Sequence, residues 1–370
     1  MRYTHGMKYS LFLIGDGLIE NKPMRRYIDR HFARFGIEPD RRFLFKEAER
    51  FFTEHIGDTE KVQTYLILCE PSLAALVARE IATLTEDTLV MREASLVPSR
   101  SLSLSPEYYH LSEGQLQLHV MQVENGGELP APKLHSTPAD SALIHLFEND
   151  EAALHPVLKQ VAESYRVAYA LTSPVPGWLQ CRLSAERFGD VDGALQQLIT
   201  RFPSSVATDN IALWLIEVLQ AAGKTVTFAE SCTGGLLSYY LTKESGASGV
   251  FEGGLITYSN RLKSAWIAVE NATLKAHGAV SREVVEAMSA GALEVAGADY
   301  AIAVSGVAGP TGGTVQKPVG TVQVAVRSKE ALETTRLQLS GDRNYIQEQT
   351  VLHAVKMLML LDKKTFFKIS

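Results

Sequence analysis

The chain has 370 residues, 36 Lys and Arg against 42 Asp and Glu, a formal net charge of −6 and 46% hydrophobic residues. That length accommodates two or three domains, and the composition is that of ordinary globular protein, without collagenous or disordered bias. The mildly acidic balance argues against nucleic acid as a partner, which wants a basic face. Cys69, Cys181 and Cys232 are odd in number and far apart in sequence, so they form neither a metal spacing nor a disulfide framework. A reducing cytoplasm is the compartment expected.

From the N-terminus, Lys8 to Ile14 reads as a buried strand. Its apolar run is too short to span a membrane and carries no small-residue cleavage site, so neither a membrane nor a signal peptide is expected. Met7 is an alternative start, with Met1 to Gly6 as an unstructured extension. Met24, Tyr27, Ile28, Phe32 and Phe35 recur at helical spacing, and Gly36 would end that helix. Val62 to Leu68 is a second strand. Pro71 and Ser72 open a helix through Leu73, Leu76, Val77 and Ile81. Leu116 to Val123 is a further strand, closed by Asn125-Gly126-Gly127. Alternating strands and helices predict a parallel sheet covered on both faces, a first α/β domain over residues 7–135.

A small α+β module follows over residues 150–203. Tyr165 to Leu171 and Trp178 to Leu183 are strand-like, with Pro174-Val175-Pro176-Gly177 as the turn, and Val191 to Ile199 is a helix. The module lacks a Gly-x-x-Gly loop and a basic patch, so a spacer is expected rather than an RNA reader. Pro203-Ser204-Ser205 is a linker.

The last domain, residues 206–365, opens with a helix over Ala212 to Leu219 capped by Gly223. Val226 to Ala229 is a strand that runs through Glu230-Ser231-Cys232-Thr233-Gly234-Gly235 into a helix at Leu236 to Leu241. That arrangement places a hydroxyl and free backbone N–H groups near a helix start, suited to an oxyanion or a phosphate. Gly253 to Thr257 is a strand. Ser281 caps a helix through Val284, Val285, Met288, Ala292 and Val295. Tyr300 to Val304 is a buried strand, followed by the loop Ser305 to Gly320 and two β-rich stretches, Val322 to Val326 and Thr335 to Leu339. Asp342 caps a final helix with Tyr345, Gln349, His353 and Met357 along one side. The whole predicts a three-layer α/β/α domain.

Ser231 by itself reads as an N-cap serine. With Tyr258 and Lys263 downstream it reads as the nucleophile of a Ser-Lys pair, with Lys263 as base and Tyr258 as a proton relay or a support for the lysine. A lysine base must first lose its proton, so burial or nearby positive charge has to lower its pKa. Cys232 is a rival nucleophile without an obvious His base; a small buried thiol is its ordinary role. The N–H groups of Cys232 and Thr233 are candidate oxyanion donors. Glu230 either orients the lysine or is structural, and His277 packs a loop. No His, Asp and Cys cluster predicts a metal.

The last domain resembles the competence/damage-inducible (CinA) family in its nicotinamide-nucleotide amidase domain. The resemblance covers Ala212 to Leu361. It rests on Ala229-Glu230-Ser231-Cys232-Thr233-Gly234-Gly235, on Thr257-Tyr258-Ser259-Asn260 with Lys263, and on His277-Gly278-Ala279-Val280-Ser281. It continues through Asp299-Tyr300-Ala301, Ser305 to Pro310 with Gly312-Gly313, Lys317-Pro318-Val319-Gly320-Thr321 and Gly341-Asp342-Arg343. It implies hydrolysis of nicotinamide mononucleotide to nicotinate mononucleotide and ammonia in pyridine nucleotide salvage, without a cofactor or a metal, by a homodimer. It implies Ser231, Tyr258 and Lys263 as catalytic residues. Cys232, Thr233, Gly234, Asn260, Ser305, Gly309, Gly312, Gly313 and Arg343 would bind substrate, Arg343 through the phosphate. Gln347 stands where family members often carry a second Arg. The first domain resembles the family's molybdopterin-cofactor-type nucleotide domain in degenerate form: Gly17 replaces a Glu, Lys22-Pro23-Met24 stands near an expected Asp-x-Asn, and Cys69-Glu70-Pro71-Ser72 replaces a Gly-rich loop. The middle module resembles the family's KH-like spacer. Two alternatives stand beside the amidase: an ADP-ribose or nucleotide pyrophosphatase in the first domain, and a non-catalytic nucleotide-binding scaffold.

Overall fold

The computed structural model describes residues 8–35, 37, 39–46, 50–56, 63–92, 95–114, 116–132, 141–148 and 151–367. The expectations for Met1 to Met7, Gly36 and Val62, and the domain limits at 135 and 150, lie outside the described residues. The chain divides into two compact units, Met1–Ala139 and Asp140–Ser370.

In the first unit, β1 (Lys8–Ile14) is followed by α1 (Asp16–Glu20), α2 (Lys22–Ala33), β2 (Arg41–Phe45), β3 (Gln63–Cys69) and α3 (Ala74–Leu84). A short pair, β4 (Leu89–Arg92) and β5 (Ser95–Pro98), precedes β6 (Leu102–Ser105), β7 (Tyr108–Glu113) and β8 (Leu116–Gln122). Six strands form one sheet in the order β2-β1-β3-β8-β7-β6, parallel from β2 through β8 and antiparallel beyond. β1, β3 and β8 read as apolar runs because helices and loops bury both of their faces. The Asn21 side chain caps α2 by accepting from Met24 N at 3.1 Å, and Met24, Ile28 and Phe32 are buried as the spacing predicts. Phe35 is exposed, because the helix ends at Ala33, before it. At the C-terminal end of β1, the Glu70 carboxylate lies across the Gly15–Gly17 turn and accepts the Gly17 N–H at 2.6 Å. A Cβ on either glycine would collide with that carboxylate, so this chain's own acid fills the turn.

The second unit begins with β9 (Ser141–Phe147), α4 (Glu151–Tyr165), β10 (Val167–Val175), β11 (Trp178–Ala185), α5 (Val191–Arg201) and β12 (Ser205–Ala207). These strands form an antiparallel sheet, β10-β11-β9-β12, with α4 and α5 packed into its core. Val175 pairs directly with Trp178, so the turn is only Pro176-Gly177, shorter than expected, with Gly177 at φ 74. The linker expected at Ser205 is instead the edge strand β12 of this sheet.

The remainder comprises α6 (Ile211–Ala222), β13 (Val226–Glu230), α7 (Leu236–Thr242), β14 (Phe251–Ile256), α8 (Asn260–Ile267), α9 (Asn271–His277), α10 (Arg282–Ala296), β15 (Tyr300–Gly306), β16 (Thr321–Ser328), β17 (Leu332–Gln338), α11 (Arg343–Leu361) and α12 (Lys363–Phe366). Its sheet runs β14-β13-β15-β16-β17, parallel at β14-β13-β15 and antiparallel at β16 and β17. One face carries Val226, Phe228, Tyr300, Ile302 and Val304 against α6, α7 and α11. The other carries Ala229, Ala301, Ala303 and Ala325 against α8 and α10. Along β15 the large residues thus face one helical layer and the alanines the other, and the domain is three-layered α/β/α. In α11 the expected face shifts: Tyr345 is exposed, while Ile346, Thr350, His353, Ala354 and Leu358 are buried. The helix is covered over a wide arc because it packs on the sheet and also touches β10 of the small module. Among the described residues no helix is long and apolar enough to cross a membrane.

Candidate active site

β13 is buried along its whole length and lies between β14 and β15, parallel to both. Ligands of open α/β sheets bind beyond the carboxyl ends of such strands. The chain leaves β13 in a tight turn, Ser231 to Gly235, anchored where the Ser231 N–H donates to Val304 O at 3.0 Å. Gly235, the N-cap of α7, has φ 103 and no side-chain cap. The cap comes from Glu230, which is 0% exposed. Its Oε2 accepts from Thr233 Oγ1 (2.7 Å), Gly235 N (2.9 Å) and Leu237 N (3.1 Å), and its Oε1 from Ser238 N (2.8 Å) and Ser238 Oγ (2.6 Å). The capping role open to Ser231 is therefore taken by its neighbour, and the serine hydroxyl stays free for Lys263. Glu230 is structural rather than a partner of the lysine.

Lys263 arrives on α8, an element the sequence reading did not single out. Ser259 starts that helix by accepting the Leu262 N–H at 3.2 Å. One turn in, Lys263 is 0% exposed. Its Nζ lies 3.0 Å from Ser231 Oγ, 2.7 Å from Thr257 O and 3.4 Å from Tyr258 O. Burial pushes its pKa down from 10.5 to about 8. The two carbonyls can only accept. In the neutral amine they occupy both N–H bonds, which leaves the lone pair directed at Ser231. Burial pushes the Cys232 thiol up to about 12, so it is no thiolate at neutral pH.

Ser231 and Lys263 line a cavity of about 200 Å³ together with Cys232, Tyr258, Ser305 and Arg343. Arg343, the first residue of α11, donates through Nη1 to Gly309 O at 2.8 Å and through Nη2 to the Tyr258 hydroxyl at 3.2 Å. Tyr258 is 60% exposed; its hydroxyl faces Arg343 and its carbonyl faces the lysine. Ser305 Oγ donates to Ala279 O at 2.8 Å, which keeps it as an acceptor toward the cavity.

The other expected substrate residues are placed around this centre. The Thr233 side chain is turned to Glu230, and Gly234 occupies the turn at φ 60. Asn260 is exposed at the start of α8, and Gly312 and Gly313 are exposed in their loop. Gly309 and Gly313 let that loop approach Val319 closely. Among the described residues, the backbone N–H groups of Cys232 and Thr233 have no acceptor in another residue. Ala279, Val280, Gly306 and Ala308 complete the wall. Gln347, on α11, donates to Cys232 O at 2.6 Å.

A buried serine–lysine pair at the carboxyl edge of a three-layer α/β/α sheet defines the class. A family model described as the CinA C-terminal domain matches residues 208–361. The nicotinamide-nucleotide amidohydrolase PncC of Escherichia coli is 47% identical over 143 residues, 38% of this chain and 87% of that protein. A CinA-like protein of Parasynechococcus marenigrum is 40% identical over 204 residues, 54% of this chain and 45% of that protein. Among solved structures, the competence/damage inducible protein CihA of Agrobacterium tumefaciens is 38% identical, with a TM-score of 0.40, over 41% of this chain and 93% of that one. The chain belongs to the CinA family through its C-terminal domain. It spans 42% of the length of the competence-damage inducible proteins that it matches from two Thermoanaerobacter strains.

Proposed function

We propose that this chain is an amidohydrolase that converts nicotinamide mononucleotide and water to nicotinate mononucleotide and ammonia in pyridine nucleotide salvage. The observation that carries the reading is the 3.0 Å approach of a fully buried lysine amine to Ser231 Oγ inside the cavity. Extensive identity to a nicotinamide-nucleotide amidohydrolase supports the substrate. Neutral Lys263 takes the Ser231 proton as Oγ attacks the carboxamide carbon. The Cys232 and Thr233 N–H groups receive the oxyanion, each good donor being worth about 3 kcal/mol. The lysine ammonium then protonates the leaving nitrogen, the C–N bond breaks, and ammonia leaves behind an ester on Ser231. Water attacks that ester with Lys263 again as base, releasing the carboxylate. Arg343, held at the cavity mouth by Gly309 O and Tyr258, suits the phosphate. Tyr258 thereby positions the arginine, and its carbonyl helps to hold the lysine.

The reading takes residues 206–365 as the amidase domain, 150–203 as a KH-like spacer and 7–135 as a degenerate molybdopterin-cofactor-type domain. It takes the working form as a homodimer in the cytoplasm. Ammonia release from nicotinamide mononucleotide by the full chain tests it. Ser231→Ala should abolish release while the fold is kept, and Cys232→Ala should retain most of it. An active serine variant beside a dead cysteine variant would reverse the nucleophile.

A further inference from the structure

We infer that Gln347 is a positioning residue for the reaction, and that it sets the orientation of the Cys232–Thr233 peptide that presents an oxyanion donor. This rests on the amidase reading and deepens it. Gln347 lies one turn along α11 from Arg343, and its Nε2 donates to Cys232 O at 2.6 Å, joining residues 115 apart in sequence. A trans peptide is planar, so its C=O and N–H point in opposite directions. Fixing the Cys232 carbonyl toward α11 therefore fixes the Thr233 N–H away from α11. Among the described residues that N–H has no acceptor in another residue. The following residue is pinned independently, since Thr233 Oγ1 donates to the buried Glu230 carboxylate at 2.7 Å. The peptide is thus gripped at its carbonyl by Gln347 and at the next side chain by Glu230, immediately after Ser231. Electrostatic stabilisation of an oxyanion depends on donors already aimed before charge develops. Freed from Gln347, the peptide can rotate and turn its carbonyl, rather than its N–H, toward the oxyanion.

Two measurements test this, one independent of the nucleotide. The first is the rate at which a fluorophosphonate modifies Ser231: Oγ bonds to phosphorus, the P–F bond breaks, fluoride leaves and Lys263 takes the serine proton. The second is ammonia release from nicotinamide mononucleotide. Gln347→Met keeps the length of the side chain without a donor. It should slow both by about tenfold to a hundredfold, with KM nearly unchanged, since the donor acts on the transition state. Gln347→Arg restores an N–H donor and should recover most of both rates. A merely structural role would lower the melting temperature of the Met variant without this split between kcat and KM and without rescue by Arg. If the Met variant does not fold, Gln347→Glu, of the same shape and also without a donor, should show the same loss. Equal fluorophosphonate rates in wild type and the donor-less variant would overturn the inference, as would failure of wild type to react at Ser231. Wild type that reacts at Ser231 but releases no ammonia would defeat the substrate assignment, and the modification rates would still decide the role of Gln347.

Discussion

Lys263 is the residue on which the proposed chemistry turns, and its environment makes two linked predictions. Desolvation disfavours the ammonium, which lowers the pKa from 10.5 to about 8. At neutral pH roughly a tenth of the amine is then ready to act as base, so kcat/KM should rise with pH to a plateau above about 8. The same shift acts on stability. The unfolded chain holds the lysine proton up to 10.5, while the folded chain releases it near 8. Between these values the unfolded state binds more protons, so stability rises with pH across that window and the full penalty applies below it. The penalty corresponds to about 3 kcal/mol. Lys263→Met should therefore be inactive, yet no less stable than wild type at pH 7, and it should lose the rise in stability with alkaline pH. Lys263→Arg, unable to supply a neutral amine, should also be inactive. Urea titrations at several pH values check the first claim, and near wild-type turnover in the Arg variant would remove Lys263 as the base.

At the scale of elements, the turn from β13 to α7 depends on one buried acid. Glu230 receives five hydrogen bonds, all from the segment 233–238 that follows it. Glu230→Gln preserves the shape but turns one acceptor into an NH₂ group that faces N–H and O–H donors. With the carbonyl kept on the Gly235 and Leu237 N–H groups and the Ser238 hydroxyl turned to accept from the NH₂, the Ser238 N–H is left without its partner, at a cost of about 1–3 kcal/mol. Chemical denaturation should show that loss, and deamidation should fall because Ser231 and the Cys232–Thr233 peptide sit on the loosened turn. A variant within about 0.5 kcal/mol of wild type would deny the turn this dependence. Local patterning made much of this legible: the apolar run of β13, the paired glycines and the Ser-Tyr-Lys order all pointed to the candidate site. The cap donated by Glu230 was hidden, because a glutamate next to a serine says nothing about which side chain faces the helix start. Helix α8 was hidden too, being only eight residues long, although its Ser259 cap and the inward Lys263 follow once the helix exists. The contact of Gln347 with Cys232 is tertiary and beyond any local pattern. Strand β9 is apolar enough to read, but its partners β11 and β12 come after a helix, so its place in the small sheet is a property of topology.

At the scale of the molecule, the second unit combines the small module with the domain that carries the site. They share one hydrophobic cluster: Phe147, Val175, Trp178 and Val206 from the small module join Leu215, Leu358, Phe366 and Phe367. The Phe147 and Phe367 rings lie 5.5 Å apart. Lys356 on α11 donates to Pro176 O at 2.6 Å, and Lys363 meets Glu148 at 2.6 Å. None of these residues lines the cavity. The Escherichia coli relative is matched over 87% of its length by a stretch of 143 residues of this chain. A fragment of residues 208–370 should accordingly fold and deamidate with a kcat near that of the full chain. It should also be less stable than a fragment of residues 140–370. Removing the small module exposes Phe367 and strips α11 of one neighbour, and burying a phenylalanine contributes roughly 1.5–3 kcal/mol. Parallel thermal melts and ammonia-release assays of the two fragments separate the effects. Equal melting temperatures would mean that the shared cluster contributes nothing to stability. A folded 208–370 fragment with no activity, beside an active 140–370 fragment, would mean that the small module acts on the site itself, through α11 and its Arg343 and Gln347.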